Sequence, residues 1–166
     1  MTRLQEAAYS AQFAAGLPVS ELAHVLLAGD EGVIHVRQCA AYIEAIRTTA
    51  WFTGAFAAHA GPVTVVGGRG VSRADAGEWW VKIGTSDRSD VGRCEVACLH
   101  ELAHLVTSDR GPGGDLREPV DGKASSKGHH HAWRVNFGLI VRMTLGKPAA
   151  RRLRHEFTAW GLPTCK

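Results

Sequence analysis

Several features that would assign a protein class at once are missing from this sequence. No apolar run reaches the roughly 20 residues that a membrane-spanning helix needs. The first segment carries Glu6 and Gln12 where a secretory signal would be apolar. No internal repeat is visible. We therefore expect a cytoplasmic protein that makes no membrane contact.

The charge is nearly balanced as well. Nineteen Lys and Arg stand against sixteen Asp and Glu, a net charge of +3, which is too small to indicate nucleic-acid binding unaided. A basic cluster near the end of the chain leaves contact with phosphates open, although no aromatic residues alternate with its charges. That cluster consists of Arg151, Arg152, Arg154 and His155. The 166 residues are enough for one domain, 1–166, with a core of its own.

The chain has four cysteines but no C-x-x-C pair, which argues against a zinc ribbon. They are Cys39, Cys94, Cys98 and Cys165. We interpret them as small buried apolar residues in a reducing compartment. The alternative is that some of them form a second metal site or a disulfide.

One short motif carries most of the functional information. His100 and His104 stand four residues apart in the apolar run 96–106, with Glu101 directly after the first histidine. On a helix this spacing places both imidazoles on one face, where they can reach a single zinc ion. The glutamate can then reach a water molecule held by the metal. This is the H-E-x-x-H pattern of zinc hydrolases.

The residues around the motif favour a metal site over an ordinary amphipathic helix. Apart from the three motif residues, all positions between 96 and 106 are apolar. A helix that is apolar all round is expected to be buried. Ionisable groups on a buried helix need partners, because unpaired buried charge is costly. A metal ion with its water provides them.

A catalytic zinc ion requires a third protein ligand and one open position. The longer motif that continues with glycine and histidine is absent, since Thr107 and Arg110 occupy those places. The nearest source of a third ligand is the run of His129, His130 and His131. A carboxylate is the alternative, and the candidates are Glu118, Asp121 and Glu156.

The pairing of His100-Glu101-x-x-His104 with a later His-x-x-x-aromatic resembles the SprT/Spartan-type metallopeptidases. In that family the third zinc ligand opens a His-Gly-x-x-Phe/Trp motif. Alignment on Trp133 places His129 at the ligand position and His130 where the family has glycine. This departure keeps His131 as the next candidate ligand.

The order of elements is also similar to that of the small metallohydrolases of actinobacteria and their phages. These resemblances imply an α+β, zincin-like fold, mostly helical with a small β-sheet beside the H-E-x-x-H helix. They also imply Zn2+ as the cofactor. If the protein is encoded by a phage, its location would be the host cytoplasm or the virion.

The sequence pattern predicts a series of helices and two strands. Asp90 is the simplest N-cap for the zinc helix. Strand 80–84 is expected at the edge of the cleft, where an extended peptide could pair with it, or else in the core. A flexible link is indicated by Gly67, Gly68 and Gly70. The long irregular segment 108–127 indicates a lid or a disordered segment. Helices are predicted at 2–15, 20–27, 35–56, 91–106, 131–145 and 148–161, and strands at 62–66 and 78–83.

These observations predict a zinc-dependent hydrolase, most simply a metallopeptidase acting on protein or peptide. His100, His104 and His129 would hold the metal, and Glu101 would act as general base and later as general acid. Donors for the oxyanion would come from His130, His131 or Arg134. The alternative is a non-enzymatic, metal-stabilised binding or structural protein, whose site a fourth ligand such as His131 or Asp121 would close.

Overall fold

The computed structural model describes residues 3–28, 32–108 and 129–162. It is an α+β structure, mostly helical with one small sheet, as the sequence predicts. The helices are α1 (Arg3–Ala14), α2 (Glu21–Leu26), α3 (Val36–Arg47), α4 (Ala50–Ala55), α5 (Val91–Thr107), α6 (His131–Leu145) and α7 (Lys147–Ala159). The strands are β1 (Thr64–Gly68), β2 (Arg73–Asp75) and β3 (Trp80–Gly84), and short 3-10 turns occupy Ala57–His59 and Asp87–Ser89.

Helix α5 is the central element of the fold. Asp90 caps it as predicted, because its side chain accepts a hydrogen bond of 2.9 Å from the backbone N–H of Arg93. The helix packs against α2, α3, α6 and the sheet. Eleven of its seventeen residues are buried, so it is not a surface helix with a solvated histidine face.

The sheet differs from the prediction in which strand forms its edge. β3 pairs in parallel with β1 and antiparallel with β2, so the strand order is β1-β3-β2. Strand 80–84 therefore lies in the middle of the described sheet, and the expectation that it would offer a free edge to a peptide was wrong. The error arose because β2 has only three residues, Arg73, Ala74 and Asp75, and lacks the β-branched pattern of a strand.

The predicted helix 35–56 is two helices. α3 ends before Thr48, and Thr49 caps α4 by accepting a hydrogen bond from the backbone N–H of Phe52. Threonine hydroxyls compete for backbone hydrogen bonds and favour caps over helix interiors. Two adjacent threonines are thus sufficient to interrupt a pattern whose apolar spacing continues across them.

Two of the three glycines assigned to a flexible link are part of the sheet instead. Gly67 and Gly68 belong to β1 and pair with Ile83 and Gly84. A Cβ at Gly67 would lie 2.3 Å from Cγ2 of Val36, so the strand approaches α3 too closely for a side chain there. Glycine at this position therefore allows β1 to pack closely against α3.

The remaining helices bring distant parts of the sequence together. α1 packs on α7, α7 on α6, and α6 on α5, so the first helix of the chain comes to lie beside the H-E-x-x-H segment. Within the described ranges, no helix is long and apolar enough to cross a membrane. Most of the predicted irregular segment, with Glu118 and Asp121, lies outside the described residues, and so does Cys165.

Candidate metal centre

Three histidine rings converge at the C-terminal half of α5. His100 and His104 come from α5, one turn apart, and His129 comes from the residues just before α6. Nε2 of His100 lies 2.8 Å from Nε2 of His129 and 3.2 Å from Nε2 of His104. His100 and His129 are only 1–2 % exposed. The structure thus brings together the three residues that the sequence analysis assigned to the metal.

The separations of the three nitrogens suit a small metal ion. Zinc binds imidazole nitrogen at 2.0–2.1 Å, so neighbouring ligands of a tetrahedral ion stand about 3.3 Å apart. A hydrogen-bond network alone accounts poorly for three Nε2 atoms that face one another. Nε2 of His100 takes part in both close N···N contacts, but it carries only one lone pair or one proton, so it cannot form a full hydrogen bond to both neighbouring rings.

Gln12 fixes the orientation and tautomer of His100. Its Oε1 atom lies 2.7 Å from Nδ1 of His100, in a contact that is buried on both sides. The amide oxygen can only accept, so His100 donates its proton from Nδ1 and presents a lone pair on Nε2. Metal-binding histidines are commonly held by this type of outer hydrogen bond.

All three histidines are held neutral, which is the form that binds a metal. Burial is the main cause. Repulsion between protonated forms of neighbouring histidines, and from Arg134 in the case of His129, acts in the same direction. Together these effects lower the pKa of His100 well below its usual range, the pKa of His104 to about 3 and the pKa of His129 to about 4. A cation therefore does not have to displace protons from these rings at neutral pH.

Aromatic rings form the walls of the centre. Trp133 is fully buried, and its ring centroid lies 4.7, 5.3 and 4.3 Å from those of His100, His104 and His129. Tyr9, from α1, stacks on His100 at 4.9 Å and meets His129 edge-on at 5.2 Å. These contacts restrict the rotation of the imidazoles and exclude water from most sides of the centre.

Glu101 lies on α5 between the histidine centre and the sheet. It is 2 % exposed. Burial, followed by the negative charge of Asp87, raises its pKa to about 8, while a hydrogen bond from the backbone of Ala74 and the charge of Lys82 oppose this shift. A buried carboxyl that exchanges its proton near neutral pH is suited to general acid–base chemistry.

The other candidate residues from the sequence lie elsewhere. His131 is exposed at the start of α6, and Glu156 lies on α7; neither belongs to the group of converging histidines. His130 is the N-cap residue of α6. Arg134 donates from Nη1 to the backbone oxygen of His129 at 2.7 Å, so it supports the residue proposed as third ligand.

Sequence reasoning missed three residues of this environment, Tyr9, Gln12 and Asp87. Gln12 had a detectable signal, since it is a polar residue on the same face of α1 as Ala8 and Ala11, which are fully buried. Tyr9 and Asp87 had none. Their contribution depends on the packing of α1 and of the turn before α5, which the local pattern does not encode.

No protein-family model, curated protein or solved structure matches this chain. Any assignment of function therefore depends on the chemistry of the centre itself. Within the described residues, the chain supplies three neutral imidazole donors in contact, an oriented tautomer and an adjacent buried carboxyl.

Proposed function

We propose that the protein is a zinc-dependent hydrolase, and more specifically a metallopeptidase with a zincin-like fold. The observation that carries this proposal is the position of Glu101, a buried carboxyl of perturbed pKa beside three converging neutral histidines. Three imidazoles suit zinc among the common divalent ions. When bound, zinc supplies Lewis acidity and lowers the pKa of a coordinated water molecule to about 7.

In this proposal Glu101 moves the proton. Its carboxylate accepts a proton from the attacking water and passes it to the leaving amine. The pKa of about 8 in the absence of a metal would fall when a cation binds nearby, because an opposite charge favours the ionised form. Glu101 would then be ionised at neutral pH and able to act as a base. Its pKa would still lie close enough to neutral for the carboxyl to release the proton again.

The position of β2 supports an extended peptide as the substrate. β2 is an edge strand of the described sheet, and the backbone of Ala74 in its centre hydrogen-bonds to Glu101. A peptide that added to this edge as a further strand would lie beside the carboxyl. This arrangement replaces the edge that the sequence analysis assigned to β3.

Tyr9 is suited to stabilise the negative charge that develops on the substrate. Burial, followed by the charges of Glu101 and Asp87, raises its pKa to about 12, so the phenol keeps its proton and can donate a hydrogen bond. Its ring contacts two of the histidines. Donors that point to such a developing charge commonly contribute about 100- to 1,000-fold in rate.

One observation favours a second function, a metal-stabilised protein without catalytic turnover. His100, Glu101 and His129 are almost completely buried, and His104 is the most accessible of the four. A metal site that never admits a substrate would be buried to this extent. The two functions differ in their dependence on Glu101, because a purely structural site does not need a base.

The decisive experiment compares wild type with Glu101→Gln at equal zinc content, using unfolded protein and a peptide library as substrates. We expect the variant to keep its metal and fold and to lose about 100- to 10,000-fold in cleavage rate, because glutamine is isosteric but accepts no proton. Glu95→Gln is the matched control. Glu95 is also buried on α5, but it contacts Ser20 and Tyr42 instead of the centre.

Equal cleavage by wild type and Glu101→Gln would exclude Glu101 as the base. If neither protein cleaves any substrate although both hold zinc, the structural function is favoured. Loss of cleavage in Glu95→Gln as well as in Glu101→Gln, with both proteins folded, would show that cleavage depends on the packing of α5 in general and not on the Glu101 carboxyl as proton acceptor.

A further inference from the structure

A second cluster of metal-binding side chains lies on α5, away from the histidines. Cys94 and Cys98 are one turn apart on α5, and Cys39 reaches them from α3. All three are fully buried, and their sulfur atoms lie within 4.8 Å of one another. We refer to these three residues as the cysteine triad.

The sulfur separations are closer to those of a metal site than to those of a disulfide. Sγ of Cys39 lies 3.4 Å from Sγ of Cys94, whereas bonded sulfurs are about 2.0 Å apart. Thiolates bound to zinc at about 2.3 Å stand about 3.8 Å from each other in a tetrahedral arrangement. A shift of a few tenths of an ångström would bring the triad to that separation.

The triad and the histidine centre occupy different faces of α5. Two residues along an α-helix correspond to a rotation of about 200°, so Cys98 points away from the side on which His100 lies. The triad faces α3, whereas the histidines face α1 and α6. An ion at one cluster would therefore be separate from an ion at the other.

A cation beside the triad provides charge compensation. Hydrogen bonds from the thiols of Cys94 and Cys98, and to a smaller extent the positive charge of Arg88, lower the pKa of Cys39. The hydrogen bond to Cys39 raises the pKa values of Cys94 and Cys98 in turn, and the charge of Arg88 opposes this shift at Cys94. Arg88 donates from Nη1 to the backbone oxygen of Ile34, but its buried Nε has no hydrogen-bond partner among the described residues. Three thiolates, one divalent ion and Arg88 together carry no net charge, which a buried site requires.

We propose that Cys39, Cys94 and Cys98 form a second metal site, for a thiophilic divalent closed-shell ion such as Zn2+, that joins α3 to α5. Sulfur ligands select such ions. Three thiolates complete the coordination of a trigonal ion. A tetrahedral ion would need one further small ligand beside them. All three donors are fully buried and out of reach of a substrate, so the role of this site is to stabilise the fold.

The site would form with folding, since the triad is closed to solvent in the described structure. Metal binding requires the thiols to lose their protons, so the ion and the packing of α3 on α5 stabilise each other. This proposal does not rest on the proposed function. A protein without any hydrolase activity would bind the second ion equally well.

The experiment uses Cd2+ as the probe, because its thiolate complexes absorb in the ultraviolet and its imidazole complexes do not. The protein is unfolded and reduced, then refolded with Cd2+. We expect two Cd2+ per chain in wild type, with a charge-transfer band whose intensity corresponds to three thiolates. His104→Ala should retain one ion and the full band, whereas Cys39→Ser should lose the band and retain the histidine-bound ion.

Cys165→Ser is the matched control, since Cys165 is the one cysteine outside the triad, and its band should be unchanged. Should Cys39→Ser fail to fold, the titration of wild type decides alone. A single ion per chain with no thiolate band would overturn the proposal. So would a protein two hydrogens lighter in mass, with a Cys39–Cys94 disulfide and no ion bound at the triad.

Discussion

The histidine centre and the cysteine triad use the same spacing on the same helix, but their surroundings differ. Each has two candidate ligands four residues apart on α5 and a third from another part of the chain. The histidine centre has an adjacent acid, an oriented tautomer and one half-buried ligand, His104. The triad has three fully buried donors and a cation instead. The neighbours of a metal site, more than its ligand spacing, therefore distinguish a centre suited to reaction from one suited to stability.

Removal of the third imidazole should have the largest effect. His129→Ala should abolish zinc binding at the histidine centre and any cleavage activity, while the ion at the triad remains. The reason is that two imidazoles alone seldom hold a catalytic zinc ion. His131→Ala is the control, because His131 is exposed and lies outside the converging group. Metal content by elemental analysis checks both variants, and loss of zinc in His131→Ala alone would show that the ligand register is wrong.

Loss of the outer hydrogen bond should have an intermediate effect. Gln12→Leu removes the acceptor for the Nδ1 proton of His100 but keeps a similar side-chain volume. We expect about 10- to 100-fold weaker zinc binding, as is typical for partners that orient a ligand. Gln12→Glu retains an acceptor and should bind zinc nearly as wild type does. Competition with a chromophoric chelator measures the affinity, and equal affinity of all three proteins would show that Gln12 does not orient His100.

Acid should also destabilise the metal-free protein. The three histidines have folded-state pKa values far below the usual 6.5, so the unfolded chain binds their protons first as pH falls. Glu101, with a pKa of about 8, acts in the opposite direction, because the folded protein holds its proton above the usual carboxyl range. From these four groups, the unfolded chain therefore binds about two more protons than the folded protein does near pH 5. The free energy of unfolding should then fall by about 2–3 kcal/mol for each pH unit of acidification.

Thermal unfolding of chelator-treated protein between pH 6.5 and 4.5 measures this slope. His104→Phe removes one titrating ring and should reduce the slope by about 1 kcal/mol per pH unit. A melting temperature that does not change over this range would mean that the histidines are not buried in neutral form. The difference in slope between wild type and His104→Phe isolates the contribution of the histidine centre, since the triad contains no imidazole.

Local sequence signals predicted much of this arrangement. The apolar run around His100, the cap at Asp90 and the extent of α6 were all predicted, because helix periodicity and capping act within a few residues. β2 was not predicted, because its three residues carry no strand pattern of their own and their conformation depends on pairing with β3. The contact between Gln12 and His100 spans 88 residues and depends on the packing of α1, which no local pattern reports.

The cysteine triad shows the same limit. Cys94 and Cys98 have the spacing of paired ligands, but their third member is 55 residues before Cys94. From the sequence alone, the three were best explained as small apolar residues. The three are indeed buried, and our proposal of a metal site rests on the packing of α3 against α5 and on the charge of Arg88, neither of which the sequence pattern reports.

The most direct test of the central claim is an anomalous difference map from crystals of the zinc-loaded protein, with data collected on both sides of the zinc absorption edge. Our account predicts a peak at about 2.0–2.1 Å from Nε2 of His100, His104 and His129, with the Glu101 carboxylate nearby but not bonded to it. Absence of a peak among these three nitrogens, or a peak bound by His130 or His131 with His129 turned away, would contradict it.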